Sequence, residues 1–194
     1  MSTNPGAEFL DALDALQRAL ADVDAPSMII GGVAVIALGV PRLTVDIDAT
    51  VSAAGLDLDR LVETLGRHGI KPRTADALAF ARTRQVFLGV HQPSGTPVDV
   101  SMAWLPFEDE ALAAATVCDY AGVHVRIPRP EDVLIYKVIA SRPKDLQDAE
   151  GLLVLHGPAM DMDRVRRIVK QYADVLDDDE RPQALERLIR KAGG

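Results

Sequence analysis

Two aspartates separated by a single residue, Asp46 and Asp48, are the side chains whose spacing most directly suggests chemistry. They lie in Thr44 to Ser52, where apolar and polar residues alternate as in a β-strand, so both carboxylates leave the same face. Their Cα atoms are about 6.6 Å apart in an extended strand, and the carboxylates can converge. Because convergent carboxylate oxygens suit Mg²⁺ held together with substrate phosphates, the pair predicts a metal and phosphate site.

A glycine pair, Gly31 and Gly32, precedes the carboxylates and separates a short predicted strand from a predicted helix. Glycine lets the backbone approach a phosphate closely, and the first N–H groups of a helix point towards such an anion. Alone, the glycine pair indicates a tight turn, and an isolated Asp-x-Asp indicates a solvated strand face. Their combination favours a nucleotide phosphate site.

A third carboxylate, Asp99, is the single charge in an apolar predicted strand, Pro97 to Ala103. A buried carboxylate is costly unless it is paired or bound to a metal, and a site with two metal ions needs ligands beyond one pair. We therefore expect Asp99 to be the third metal ligand. The alternative is an aspartate on an edge strand that faces solvent.

The glycine turn, the three carboxylates and two polar residues just before Asp46 resemble the signature of the DNA polymerase β-like nucleotidyltransferase superfamily: Gly31, Gly32, Arg42, Thr44, Asp46, Asp48 and Asp99. The resemblance implies that the glycine turn contacts an NTP triphosphate and that the three carboxylates bind two Mg²⁺ ions, for which Mn²⁺ is an alternative. Asp99 is further implied to activate the acceptor hydroxyl. Arg42 is expected near the phosphates, and Thr44 either supports the carboxylate strand or contacts a phosphate. Many relatives have serine at the position of Gly32, which offers only backbone donors.

A second charged segment, Pro130 to Asp148, is similar to the abortive-infection nucleotidyltransferase toxins of the AbiEii/AbiGii and MenT type, over roughly residues 27–155. The similarity implies that a helix lysine and the charged element after it face the nucleotide: Lys137, Arg142, Lys144, Asp145 and Asp148. We expect Lys137 and Asp145 to act in catalysis and Lys137 and Arg142 to bind the nucleotide.

The surroundings of this segment agree with a polar pocket. Lys137 interrupts an apolar run, so its ammonium is expected to point into such a pocket. Asp145 and Asp148 share one helix face, where one of them can orient Lys137 or Arg142. The alternative is a surface helix in which Lys144 and Asp148 form an i,i+4 pair. The roles of Lys144 and Asp148 stay open.

Hydrophobic periodicity predicts an α/β (α+β) unit followed by a C-terminal helical portion. The resemblance implies that its strands form a nucleotidyltransferase-type mixed β-sheet flanked by helices. The predicted strands are residues 27–30, 44–52, 85–91, 97–103, 117–120 and 123–127. The predicted helices are residues 6–22, 33–38, 56–67, 75–82, 109–115, 131–140, 143–155, 163–176 and 181–191. The shift in pattern predicts a catalytic core of residues 1–129 and a helical subdomain of residues 130–194 that contributes to the same active site.

Composition narrows the classes of function. The 194 residues are 48% hydrophobic and carry a net charge of −8, which argues against a generic nucleic-acid binder but allows local contact with RNA. No apolar run approaches the roughly 20 residues of a membrane span, and no secretory signal is visible, so we expect a cytoplasmic protein without a membrane partner.

The expected function is Mg²⁺-dependent transfer of a nucleoside monophosphate from an NTP to an acceptor hydroxyl. The toxin resemblance implies a tRNA 3′ end or a protein as acceptor and a cognate antitoxin as partner. One alternative is a small-molecule transferase that acts on an aminoglycoside-type cation, with which the acidic charge is compatible. Another is a protein of this fold that works as a binding partner in a toxin–antitoxin pair.

Overall fold

The computed structural model describes residues 5–193. The strands are β1 (Ser27–Ile30), β2 (Ile47–Ser52), β3 (Ile70–Pro72), β4 (Val86–His91), β5 (Thr96–Ala103), β6 (Thr116–Tyr120) and β7 (Val123–Ile127). The helices are α1 (Pro5–Val23), α2 (Gly31–Ala37), α3 (Leu58–Arg67), α4 (Ala77–Arg84), α5 (Pro106–Ala114), α6 (Pro130–Ala140), α7 (Pro143–His156), α8 (Met162–Leu176) and α9 (Glu180–Ala192).

The first five strands form one mixed sheet in the order β1-β2-β5-β4-β3. Strands β2 and β5 run parallel, whereas the other three neighbouring pairs are antiparallel. Strands β6 and β7 form a separate antiparallel hairpin. The predicted fold class, a mixed sheet with helices and a helical C-terminal portion, is confirmed.

The chain divides into two compact units. Among the described residues, the first contains the chain up to Val33 and Leu43–Ile127, and the second contains Ala34–Arg42 and the chain from Pro128 onwards. The helical unit is therefore discontinuous in sequence, whereas the predicted subdomain was one segment, residues 130–194. Residues Ala34–Arg42 of this unit contact α7, because His156 Nε2 at the end of α7 lies 2.8 Å from the Leu38 carbonyl oxygen.

The core of each unit consists of large apolar side chains that are fully buried. In the first unit these include Ile29, Ile47, Leu61, Leu65 and Phe87, and in the second Leu134, Ile135 and Leu152. Within residues 5–193, no helix combines the length and the apolar character needed to cross a bilayer.

Local signals set the helix ends of the second unit. Helices α6 and α7 begin at Pro130 and Pro143, whose missing N–H groups are not needed in a first turn. Ser141 ends α6 in a left-handed conformation, with φ of 54°. The Asp161 side chain accepts a hydrogen bond from the Arg164 N–H and caps α8.

The strand that carries the aspartate pair differs from its prediction. β2 begins at Ile47, so residues 44–46 lie outside it, and Val45 is 77% exposed instead of joining the buried face. Thr50 and Ser52, predicted on a polar face, are buried. The reason is that β2 is an internal strand whose two faces are both covered, which alternation over a few residues cannot indicate.

Candidate active site

Two carboxylates that the sequence placed on different strands lie side by side in the sheet. Asp48 on β2 is the register partner of Asp99 on β5 and, on its other side, of Ile30 on β1. Register partners on strands about 4.8 Å apart present their side chains to the same face of a sheet. Because both aspartates are half-buried, the β2–β5 pairing brings two carboxylates together where solvent reaches them.

Gly31 lies directly after Ile30 and against the Asp48 carboxylate. Its φ of +62° is in the left-handed region that favours glycine. A Cβ atom at this position would be 2.0 Å from Asp48 Oδ2, a separation that no side chain tolerates. Glycine is therefore required here both by the backbone conformation and by the close approach of a carboxylate. Gly32, the next residue, is buried in α2.

Asp46 precedes β2, and its carboxylate is held by Thr44. The Thr44 hydroxyl lies 2.9 Å from Asp46 Oδ1 and 3.2 Å from the Asp46 carbonyl oxygen. Leu43 and Val45 alternate with these polar residues and are exposed to solvent. Thr44 thus contacts the carboxylate segment, and its role at the site stays a prediction.

Arg73, which lies outside the predicted site, contacts the Asp99 carboxylate. Its Nη2 atom is 2.7 Å from Oδ1 and 2.6 Å from Oδ2. Burial raises the pKa of Asp99 above its ordinary value, the Arg73 charge opposes this shift, and the Asp46 carboxylate adds to it. The net direction is upward, which makes Asp99 a stronger base than an ordinary aspartate.

The carboxylates of this site fit a divalent cation in donor type. Carboxylate oxygens suit Mg²⁺, Asp48 and Asp99 are register partners, and the missing Cβ of Gly31 leaves room for the Asp48 carboxylate. In the described part of the chain, no group of three or more histidine, cysteine, aspartate or glutamate side chains is placed so that it could hold a metal ion. Asp99 instead contacts Arg73, and Asp46 contacts Thr44.

The charged residues predicted in the helical unit form a buried network around Lys137. Its Nζ atom lies 3.3 Å from Asp145 Oδ1 and 2.9 Å from Asp148 Oδ2, and all three side chains are at most 7% exposed. Asp145 also accepts a hydrogen bond from Arg142 Nε at 2.5 Å. One aspartate therefore contacts both Lys137 and Arg142, and the roles of these residues at the nucleotide stay predictions.

Arg42 completes this network on the Asp148 side. Its Nη1 atom lies 2.5 Å from Asp148 Oδ2. The i,i+4 pair considered for this helix is absent among the ion pairs of the described residues, since Lys144 is exposed while Asp148 is buried and contacts Arg42 and Lys137. The network contains three cations and two carboxylates: Arg42, Lys137, Arg142, Asp145 and Asp148. Its net charge of about +1 suits an anion such as a phosphate.

Comparison with protein families identifies the chain. A family model described as "Nucleotidyltransferase of unknown function (DUF6036)" matches residues 8–190. The protein belongs to this nucleotidyltransferase family. A search of curated proteins found no match.

Solved structures of nucleotidyltransferase-type proteins share the fold at low sequence identity. The solution structure of the antibiotic-resistance factor ANT(2'')-Ia matches with a TM-score of 0.59 and 17% identity, covering 86% of this chain and 91% of that one. ANT(2'')-Ia in complex with adenylyl-2''-tobramycin matches with a TM-score of 0.54 and 19% identity, covering 84% and 95%. An antigenic nucleotidyltransferase-like protein from Paracoccidioides brasiliensis matches with a TM-score of 0.52 and 15% identity, covering 91% and 92%.

The predicted site residues of this nucleotidyltransferase fall into two groups, one in each unit. The first unit contains Gly31, Gly32, Thr44, Asp46, Asp48 and Asp99, and the second contains Arg42, Lys137, Arg142, Lys144, Asp145 and Asp148. Arg73 was not predicted, because it reaches Asp99 through the pairing of β3, β4 and β5, and the three-residue strand β3 was itself missed. No local pattern around Arg73 indicates this contact.

Replacing Gly31 by alanine is expected to remove activity and to destabilise the first unit. A left-handed alanine costs about 1–2 kcal/mol, and its Cβ must displace the Asp48 carboxylate. Gly55→Ala is the matched control, because Gly55 has φ of +70° and open space around the added atom. Both variants should unfold at lower urea concentration, but only Gly31→Ala should lose nucleotide transfer. Equal activity in the two variants would show that the Gly31–Asp48 approach is not needed.

The Asp145 network is expected to make stability depend on pH in the acid range. Burial opposes ionisation of Asp145, but hydrogen bonds and charges from Arg142 and Lys137 outweigh it, so the pKa of Asp145 is lowered. A carboxyl whose pKa is lower in the folded state stabilises the fold above its unfolded pKa, about 3.9, and loses this contribution as the pH falls through the folded value.

Urea unfolding of the wild type and of Asp145→Asn tests this dependence. The stability difference between them should be full at about pH 7 and should shrink as the pH is lowered past about 4. Asp174→Asn, which removes an exposed partner of Lys170, is the control and should show little difference at either pH. If the stability difference between Asp145→Asn and the wild type did not change with pH, the lowered pKa of Asp145 would be contradicted.

Proposed function

We propose that this nucleotidyltransferase moves a nucleoside monophosphate from an NTP to an acceptor hydroxyl with the help of Mg²⁺. The observation that carries the proposal is the register pairing of Asp48 with Asp99 beside Gly31. This arrangement places two carboxylates side by side, next to a glycine whose missing Cβ leaves room for one of them. Membership of a nucleotidyltransferase family supports the same reaction.

Each residue of the first unit has a proposed role. Asp46, Asp48 and Asp99 would hold Mg²⁺, with two ions as the expected number and Mn²⁺ as an alternative. When bound, such ions neutralise charge that develops on the phosphate oxygens. Gly31 and Gly32 offer backbone N–H groups to the triphosphate, and Thr44 keeps Asp46 in place through its 2.9 Å hydrogen bond.

The transfer itself needs a base and an anionic leaving group. Asp99 accepts the proton of the acceptor hydroxyl, whose oxygen forms a bond to the α-phosphorus. The bond from that phosphorus to the pyrophosphate oxygen breaks, and pyrophosphate leaves with the electron pair. Burial of Asp99 favours this role because the raised pKa strengthens the base. Lys137, Asp145, Arg42 and Arg142 stay predicted participants, and mutation of Lys137 tests whether the helical unit serves this reaction.

The acceptor proposed first is a macromolecule, either a tRNA 3′ end or a protein. This choice rests on the similarity of residues 130–148 to the AbiEii/AbiGii and MenT type toxins, with a cognate antitoxin as partner. The net charge of −8 would make contact with RNA depend on local basic residues and on the salt concentration.

A second candidate acceptor is a small hydroxylated cation of the aminoglycoside type. It is supported by the fold of ANT(2'')-Ia, which was solved with adenylyl-2''-tobramycin, and by the acidic charge of this chain. A third candidate is a binding role in a toxin–antitoxin pair that needs no transfer. In that case, toxicity in cells would survive the change of Asp46 and Asp48 to asparagine.

The decisive experiment offers several acceptors to the same enzyme. The protein is incubated with Mg²⁺ and each α-labelled NTP, together with total RNA, a cell lysate or a panel of aminoglycosides. Label on RNA or protein supports the first acceptor class, and label on an aminoglycoside supports the second. Absence of transfer to every acceptor, combined with absence of NTP binding, would overturn the proposed function.

A further inference from the structure

Arg73 lies level with Asp99 and Asp48 in the direction that runs across the strands of the sheet. The β3–β4 pairing sets Pro72 opposite Gly89, and the Arg73 N–H continues this ladder by donating to the Leu88 carbonyl oxygen at 3.0 Å. Leu88 is in turn the register partner of Asp99 on β5. Two strand spacings, about 9.6 Å, therefore separate the backbones of Arg73 and Asp99, a distance that the two side chains bridge together through their hydrogen bonds.

The Arg73 guanidinium donates hydrogen bonds to both oxygens of the Asp99 carboxylate. A single nitrogen, Nη2, lies at nearly equal distances of 2.7 Å and 2.6 Å from them. A metal ion that a carboxylate binds through both oxygens lies in the same position relative to the carboxylate. Arg73 and a divalent ion therefore compete for the same two atoms, and Asp99 cannot serve both fully at once.

The contact is also weak enough to be exchanged. The Arg73 side chain is 38% exposed and that of Asp99 is 26% exposed, so water screens the pair. Ion pairs at such positions hold much less tightly than buried ones. The ion pairs of the Lys137 network are much less exposed to water, because its carboxylates are at most 7% exposed.

We propose that Arg73 is the resident counter-ion of Asp99, which a divalent cation must displace before the carboxylate can act as a ligand. Arg73 is thus a positioning residue that holds the third carboxylate in the metal-free protein and weakens metal binding there. The inference rests on the proposed function, since it assumes that Asp99 is a metal ligand.

Binding of Mn²⁺ alone to the full chain tests this exchange without any turnover. Free Mn²⁺ is measured by electron paramagnetic resonance during titration of the wild type, Arg73→Gln, Asp99→Asn and the double variant. Arg73→Gln should bind Mn²⁺ up to about five-fold more tightly, the factor that corresponds to an exposed ion pair. The same change in the Asp99→Asn background should have no effect, because the shared carboxylate is gone.

Two further variants test whether the loss of any exposed arginine, or the loss of the charge at residue 73, changes the affinity for Mn²⁺. Arg82→Gln removes another exposed arginine, paired with Asp59 at 2.8 Å, and should leave Mn²⁺ affinity unchanged. Arg73→Lys keeps the charge and should restore affinity towards the wild-type value. Thermal unfolding of each variant confirms that the fold is retained.

The outcomes separate this inference from the proposed function. If the wild type binds Mn²⁺ and transfers nucleotide while Arg73→Gln binds Mn²⁺ no more tightly, the exchange is overturned and the function stands. The same holds if Arg73→Gln acts equally in the Asp99→Asn background. If neither the wild type nor Arg73→Gln binds Mn²⁺, and no NTP is used, both proposals are overturned.

Discussion

Changing Asp46 and Asp48 together to asparagine is expected to reduce nucleotide transfer by about 1,000-fold or more. Asparagine keeps the size of each side chain but removes the charge that holds Mg²⁺ beside the phosphates. An arginine that stabilises transition-state charge contributes a factor of about 10³–10⁵ in phosphoryl transfer, and we expect a similar contribution from metal ions. The fold should survive, because both side chains are half-buried and the double change also relieves repulsion between Asp46 and Asp99.

The measurement is the initial rate of label transfer at saturating Mg²⁺, with circular dichroism as the test of folding. Asp59→Asn is the control, since Asp59 is an exposed aspartate in the same unit whose partner is Arg82. It should retain wild-type activity. If the double variant transferred nucleotide at the wild-type rate, Asp46 and Asp48 would not be the metal ligands, and the proposed site would be wrong.

Replacing Lys137 by methionine is expected to destabilise the helical unit by about 3 kcal/mol, the lower end of the range for breaking a buried ion pair. Methionine has a similar length, but it leaves Asp145 and Asp148 without the cation that lies between them. The loss is limited because Arg142 still donates to Asp145 and Arg42 still donates to Asp148. Urea unfolding measures the change.

Lys170→Met is the matched control for this prediction. Lys170 forms an exposed i,i+4 pair with Asp174 on α8 of the same unit. Its replacement should cost a few tenths of a kcal/mol. Similar losses for the two variants would mean that the buried network contributes no more than a surface pair.

The Lys137 change also tests whether the helical unit takes part in nucleotide transfer. A small loss of stability together with a large loss of transfer would point to a direct role for the ammonium. Unchanged transfer by the folded fraction of Lys137→Met would restrict the network to a structural role. The proposal for the first unit would stand in either case, because it rests on other residues.

Short-range features of this protein were predictable from sequence alone. Hydrophobic periodicity and prolines are local signals, and they located the helices and all strands of the sheet except β3. Alternation also placed Asp46 and Asp48 on a common segment next to a glycine turn. The limits of β2 were wrong by three residues because Val45 has the residue type of a strand but lies exposed before it.

The sequence by itself determined which residues are the candidates for the chemistry: the glycine turn, three aspartates and a charged helical segment. Tertiary structure decided which of them meet. The Asp48–Asp99 register, the close approach of Asp48 to Gly31 and the Arg42–Asp148 pair all join distant parts of the chain. The contact of Arg73 with Asp99 belongs to the same class. Strand order and packing fix such contacts, and neither is encoded in the spacing of neighbouring residues.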